Sequence, residues 1–189
     1  FPPNIAPRQV AIVPIYRKDE ERARVLEACD KLAASLRGKG VRLELDAREK
    51  ITPGEKFFKW EIEGVPLRIE IGPKDLEKAQ VMMASRAGLT DDGKNKTPHP
   101  MERIAADIHD ILGGIQKKML ARALAFREEN TRHADDYDSF KKTAEEKGGF
   151  LLAHWCGSAG HGAGGRACED RVQEETKTTI RVIPIDGKK

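Results

Sequence analysis

Hydrophobic positions along the chain change period several times, and each change marks an element. Gln9-Val10-Ala11-Ile12-Val13-Pro14-Ile15 is a nearly unbroken apolar run of strand length, as expected for a first strand buried on both faces. Over residues 20–37, Val25, Leu26, Cys29, Leu32, Ala33 and Leu36 recur at helical spacing, and Gly38-Lys39-Gly40 stops the helix they predict. Val41-Arg42-Leu43-Glu44-Leu45-Asp46 alternates strictly and predicts a second strand, parallel to the first because a helix of that length lies between them. Residues 67–71 and 80–86 supply two more strands. The polar residues 91–96 read as a turn, and 97–100 as the lead into another helix.

From Met101 to about Asn130, Ile104, Ile108, Ile111, Leu112, Ile115, Met119, Leu120 and Leu124 keep helical spacing, which predicts one long helix or two joined ones. Gly113-Gly114 marks the place for a bend. The stripe is read as structural, bridging a first domain of residues 1–112 through a helix of 113–130 to a second module of 131–189. There, 137–146 and 168–175 read as helices and 150–155 and 179–185 as strands. The whole chain is therefore expected to be α/β, with a larger and a smaller module.

Candidate chemistry concentrates in residues 52–77. Pro53-Gly54 opens a helix and Gly64 closes it; at 100° per residue Phe57, Phe58, Trp60 and Ile62 are expected to face inward and Lys56, Lys59 and Glu63 outward. Glu61 then falls in the apolar face, where a carboxylate needs a cation or donors within reach. Arg68 is the candidate. Alternation in Leu67-Arg68-Ile69-Glu70-Ile71 puts the aliphatic residues on the core face and Arg68 with Glu70 on the other, and Lys74 follows Gly72-Pro73 at the strand's mouth. These charges fit a structural ion-pair network fixing helix to strand. They also fit base reading, since guanine offers two acceptors to a bidentate Arg and an amino donor to a carboxylate.

Composition narrows the setting. With 39% hydrophobic and 34% charged residues the chain is ordinary globular material, and a net charge of +3 permits a local basic patch without requiring nucleic acid. No apolar run reaches the length of a bilayer span. Cys29, Cys156 and Cys168 are too few and scattered for a disulfide framework, which points to a reducing, cytoplasmic home. The chain opens on Phe1 without a charged and then apolar leader, and is expected to be a piece or processed product of a longer protein. No Ser-centred elbow, metalloprotease motif, phosphate-binding loop or dinucleotide fingerprint is present, and His99, His109 and His133 are scattered.

The unit from Thr52 to Glu77 closely resembles the anticodon-binding domain of prolyl-tRNA synthetases. Gly148-Gly149-Phe150, His154-Trp155-Cys156-Gly157 and the stretch from Glu174-Glu175-Thr176 to Ile183-Pro184 resemble the C-terminal domain of the archaeal and eukaryotic type, so the likeness covers essentially the whole chain. It implies the class II synthetase anticodon-binding fold, a mixed sheet of about five strands flanked by helices, followed by a small α/β module. It further implies that Arg68 contacts the guanines at the second and third positions of proline anticodons, with Glu61 and Lys74 matching the family's other anticodon contacts. Glu70 and Arg86, beside them in the strand reading, complete the expected set. The implied partners are a proline tRNA and the catalytic domain of the same enzyme, which is typically a homodimer. ATP and magnesium would belong to that catalytic domain, whose motifs are missing from this sequence, so no cofactor is expected here and the chain alone should have no ligase activity.

Many relatives hold zinc through four cysteines in the C-terminal domain. Here Cys156 and Cys168 stand apart, the chain ends before a last pair could appear, and only His154 and His161 could complete a mixed site, so the spacing argues against zinc. Two rival functions remain open at this level. One is a free-standing accessory or regulatory paralogue of the domain; the other is a protein-interaction module in which the Glu61 and Arg68 network is purely structural.

Overall fold

Val10–Pro14 forms β1, buried along its whole length as its apolar run predicts. The computed structural model describes residues 1–90, 92–154 and 163–182, with side chains from 168 onward in the last stretch. It divides into two compact units, Phe1–Arg122 and Ala123–Lys189.

In the first unit β1 is followed by α1 (Asp19–Gly38), β2 (Leu43–Leu45), α2 (Pro53–Ile62), β3 (Leu67–Ile71), α3 (Pro73–Glu77), β4 (Gln80–Ala84), β5 (Lys96–Pro100) and α4 (Ile104–Asn130). The sheet has the order β2-β1-β3-β4-β5. β1 runs parallel to β2 and β3, while β4 runs antiparallel to β3 and β5, so the sheet is mixed, in agreement with expectation. One face carries Val10, Ile12, Leu67, Ile69, Ile71, Val81 and Met83 against Val25, Cys29, Leu32 and Leu36 of α1 and Ile104, Ile108, Leu112 and Ile115 of α4. Each fully buried aliphatic side chain there contributes roughly 1.5–3 kcal/mol. On the other face a smaller cluster joins Ala11 and Val13 to Trp60, with Phe57 and Val65 packed against it.

The α2 helix starts on a reciprocal cap. The Thr52 N–H donates to Glu55 Oε2 at 2.9 Å and the Glu55 N–H to Thr52 Oγ1 at 3.3 Å, with Pro53 in the first helical position. It ends at Gly64, whose φ of +71° favours glycine, and where a Cβ would come within 2.7 Å of the Phe1 ring.

The expected inward face of α2 needs correction. Lys56 and Trp60 are the buried residues, Phe57 is half-buried, and Phe58 and Ile62 are exposed at 65% and 69%. The buried stripe is rotated towards Lys56, because the Lys56 ammonium finds a backbone carbonyl to bond inside, which apolar periodicity does not register. Glu61 therefore lies exposed on the flank of that stripe rather than within it.

Residues 97–100 are not a helix lead-in. They belong to β5, paired along its length with β4, and hidden from sequence reading by Pro98 and Pro100. The Met101 N–H bonds the Ala79 carbonyl and the Ser85 N–H bonds the Asn95 carbonyl, which fixes the register. The odd-numbered residues of β5 thus turn their backbone groups to β4, and the even-numbered ones turn them outward. Two of those outward positions are proline. α4 is one uninterrupted 27-residue helix through Gly113-Gly114.

The second unit takes in the end of α4, then β6 (Thr131–Ala134), α5 (Tyr137–Glu146), β7 (Phe150–Ala153) and α6 (Ala163–Thr176), with β6 and β7 parallel. Asp136 caps α5, accepting from the Ser139 N–H at 2.9 Å. Glu175 of α6 accepts from Tyr137 at 3.1 Å and from Arg171 at 2.7 Å. β6 is absent from the sequence reading because Thr131-Arg132-His133-Ala134 has no apolar alternation. The strand expected over 179–185 is a further correction: residues 179–182 belong to no strand or helix, and 183–185 lie outside the described residues, as does Trp155. No helix among the described residues is long and apolar enough to cross a membrane.

Candidate nucleic-acid interface

Strand alternation sends Arg68 and Glu70 to the face of the sheet that α2 partly covers. The register places Arg68 opposite Ala84, Glu70 opposite Met82, and then Ala84 opposite Lys96 and Met82 opposite Pro98. Cross-strand partners share a face, so this surface continues from the edge of α2 across β3 and β4 to β5, where Lys96, Pro98 and Pro100 are exposed.

Arg68 is held on several sides. Its Nε donates to Glu70 Oε1 at 3.1 Å, Nη2 lies 3.1 Å from the same oxygen, and Nη1 donates to Glu61 Oε1 at 3.1 Å. The guanidinium carbon stands 4.0 Å from the centre of the Phe57 ring, a cation–π contact that fixes its plane. Glu70 is buried, and its second oxygen accepts from Lys96 at 2.6 Å. Four charges thus alternate in sign, Glu61, Arg68, Glu70 and Lys96, with the ends of the series exposed and its middle covered. A buried carboxylate flanked by two cations is satisfied electrostatically, and two net-neutral pairs leave the surface able to exchange partners at the exposed ends.

Beneath α2 lies a second knot. The Asp46 carboxylate, 1% exposed, accepts from Arg48 at 2.7 Å on each oxygen and from the Trp60 indole N–H at 2.9 Å, while its backbone carbonyl accepts from Lys56 Nζ at 2.9 Å. Burial works to raise the Asp46 pKa, but the bonds from Arg48 and Trp60 outweigh it and the net direction is down. Burial pushes the Lys56 pKa down. Lys59 lies over the Trp60 ring at 4.0 Å.

The other expected residues are placed more loosely. Lys74 is exposed in α3, at the end of β3, and Arg86 is exposed two residues beyond β4. Among the described residues neither forms an ion pair with the Arg68 series. Sequence reasoning missed Lys96, Phe57 as the platform for Arg68, and Asp46. Only Asp46 left a signal, as an acidic residue closing an alternating strand.

Of the weak metal candidates, Cys156 and His161 lie outside the described residues, Cys168 is half-buried on α6, and His154 is exposed after β7. Among the described residues no group of three or more His, Cys, Asp and Glu side chains is placed to hold a metal ion.

Residues 9–111 match the family described as anticodon binding domain, and residues 137–189 match the one described as prolyl-tRNA synthetase, C-terminal. The chain is 43% identical over 186 residues to a proline–tRNA ligase of Roseiflexus castenholzii and 42% identical over 186 residues to proline–tRNA ligase 2 of Clostridioides difficile. In both cases 98% of the chain is covered, and the chain spans 36% of the relative's length. The crystal structure of a Cryptosporidium parvum prolyl-tRNA synthetase complexed with L-proline and AMP aligns with a TM-score of 0.75 at 31% identity, over 93% of this chain and 35% of that one.

Proposed function

Because the chain belongs to the anticodon-binding domain family, in the form that prolyl-tRNA synthetases carry, we propose that it reads the anticodon of a proline tRNA through Arg68 and its partners. The observation that carries the reading is the guanidinium held over Phe57 between Glu61 and Glu70. Its Nε–H and one Nη1–H donate to those carboxylates, with Nη2 also within 3.1 Å of Glu70, so the guanidinium keeps further N–H groups for a base edge such as guanine O6 and N7. Glu61 is the exposed partner, and its exchange from Arg68 to a guanine amino group lets a base in without uncovering Glu70. Lys74 and Arg86, exposed at the ends of β3 and β4, meet bases or phosphates at the margins, and Lys96 steadies Glu70 from β5. Phosphate contacts supply affinity, and the bidentate Arg supplies identity.

In this reading the chain holds the anticodon stem-loop while the catalytic domain of the same homodimeric, cytoplasmic enzyme charges the distant end with proline, using ATP and magnesium held there. This chain contributes no group to that chemistry, and no zinc is assigned to its second unit.

The test is binding to a proline tRNA transcript and to one with both anticodon guanines replaced, over a salt series. A preference for the guanines that survives higher salt supports the reading, whereas equal and steeply salt-dependent binding reduces it to backbone attraction. Arg68→Ala is expected to weaken cognate binding by about 1–3 kcal/mol and to narrow the gap to the altered anticodon. An unchanged preference in that variant would leave the charge series with a purely structural role.

A further inference from the structure

Asp46 is tied into the sheet before it touches α2, since its N–H donates to the Ile12 carbonyl of β1 at 2.9 Å. It then grips α2 at Lys56, through its carbonyl, and at Trp60, through its carboxylate, both at 2.9 Å. Those residues are four apart and form one ridge of the helix. Phe57 and Glu61, also four apart and each one residue further on, form the next ridge, 100° round the axis. These two hold the Arg68 guanidinium, by ring stacking and by carboxylate. The circuit closes in the sheet, because Arg68 of β3 pairs with Ala11 of β1, the residue before Ile12.

From this circuit we infer that Asp46 is a positioning residue for Arg68: by fixing the inner ridge of α2 it sets where the neighbouring ridge clamps the guanidinium. The RNA consequence rests on the anticodon reading above, whereas the effect on Arg68 itself does not. Arg48 completes the knot by bonding both carboxylate oxygens, and with its backbone N–H on Oδ1 and the Trp60 N–H on Oδ2 each oxygen holds two donors, so the anchor has one preferred geometry. A group displaced by an ångström from its productive position loses much of its effect, which gives the anchor its influence on recognition.

The test uses the 189-residue chain with Asp46→Asn, which keeps the size of the side chain but turns an amide N–H₂ towards the donors of Arg48 or Trp60. Trp60→Phe serves as a second variant should Asp46→Asn fail to fold, leaving the Asp46 side chain intact and removing the indole N–H together with the volume of the five-membered ring. One readout needs no RNA: the Arg68 Nε–H resonance, assigned by its loss in Arg68→Ala. It is expected to be slowly exchanging and shifted by the Phe57 ring in the wild type, and to merge with those of solvent-exposed arginines in the variants. The other readout is the ratio of binding to stem-loops with and without the two anticodon guanines. It is expected to fall about tenfold in Asp46→Asn, within the range of coupling for residues sharing one network, and Asp46→Asn should add nothing in an Arg68→Ala background. An Arg68 resonance unchanged in both folded variants would overturn the inference. So would a loss of discrimination that persists on top of Arg68→Ala, since Asp46 would then act by another route. If the wild type binds both stem-loops equally while the resonance still collapses in the variants, the anticodon reading fails and the positioning of Arg68 stands.

Discussion

Cys29 has no exposed surface, and burial pushes its thiol up to about 12, with Asp30 adding to the rise. Its ordinary value is 9.0, so below that pH both folded and unfolded chains keep the proton and its contribution to stability is complete. From pH 9.0 towards 12 the unfolded chain ionises first, and that contribution is lost as pH rises. Iodoacetamide at pH 8 is therefore expected to leave Cys29 unlabelled in the folded chain and to label it after denaturation, as peptide mass mapping would read. Labelling in the native state at the rate of a free thiol would contradict the burial. At this scale the sequence was most legible where charge met alternation: Arg68 and Glu70 announce themselves because a strand's period puts them on one face, whereas Glu61, singled out by a helix phase that the structure rotates, meets Arg68 from the flank of α2. Lys96 and Phe57 were hidden, since their roles depend on strand pairing and helix phase. Lys56 misled the phase of α2, because an ammonium that reaches the Asp46 carbonyl is buried where hydropathy places it outside.

Glycine in a helix interior costs about 1 kcal/mol relative to alanine. In α4 a Cβ added at Gly113 or at Gly114 would meet nothing within 4 Å. Gly113→Ala and Gly114→Ala are each expected to stabilise the chain by about 0.5–1 kcal/mol, read as a rise in the urea midpoint at unchanged slope. A fall would mean that the pair serves a conformation other than the continuous helix. Long elements with clear periods, β1, α1, β3 and α4, are the ones the sequence made visible. β5 and β6 were invisible because their pairing rests on backbone bonds, with prolines in one and polar residues in the other. Over 179–185 the apolar pattern suggested a strand, and among the described residues 179–182 pair with no other strand. Periodicity reports burial, and a short edge strand has little of it to report.

At the scale of the molecule, every residue of the main core lies in Phe1–Arg122. Residues 1–122 alone are accordingly expected to unfold in one cooperative transition by circular dichroism and to keep the guanine preference proposed for the whole chain. A broad, featureless melt would show that the first unit depends on the second. One further consequence follows from the outward prolines of β5. A sheet that leaves a face open to a ligand also leaves its last strand in water, and a strand's rim ordinarily invites another to zip onto it. Pro98 and Pro100 withhold the donors such zipping needs. The surface can thus meet a ligand through side chains while two of the three outward positions of β5 offer no N–H to a neighbour's backbone, which makes this edge a poor place for a second copy's sheet to join.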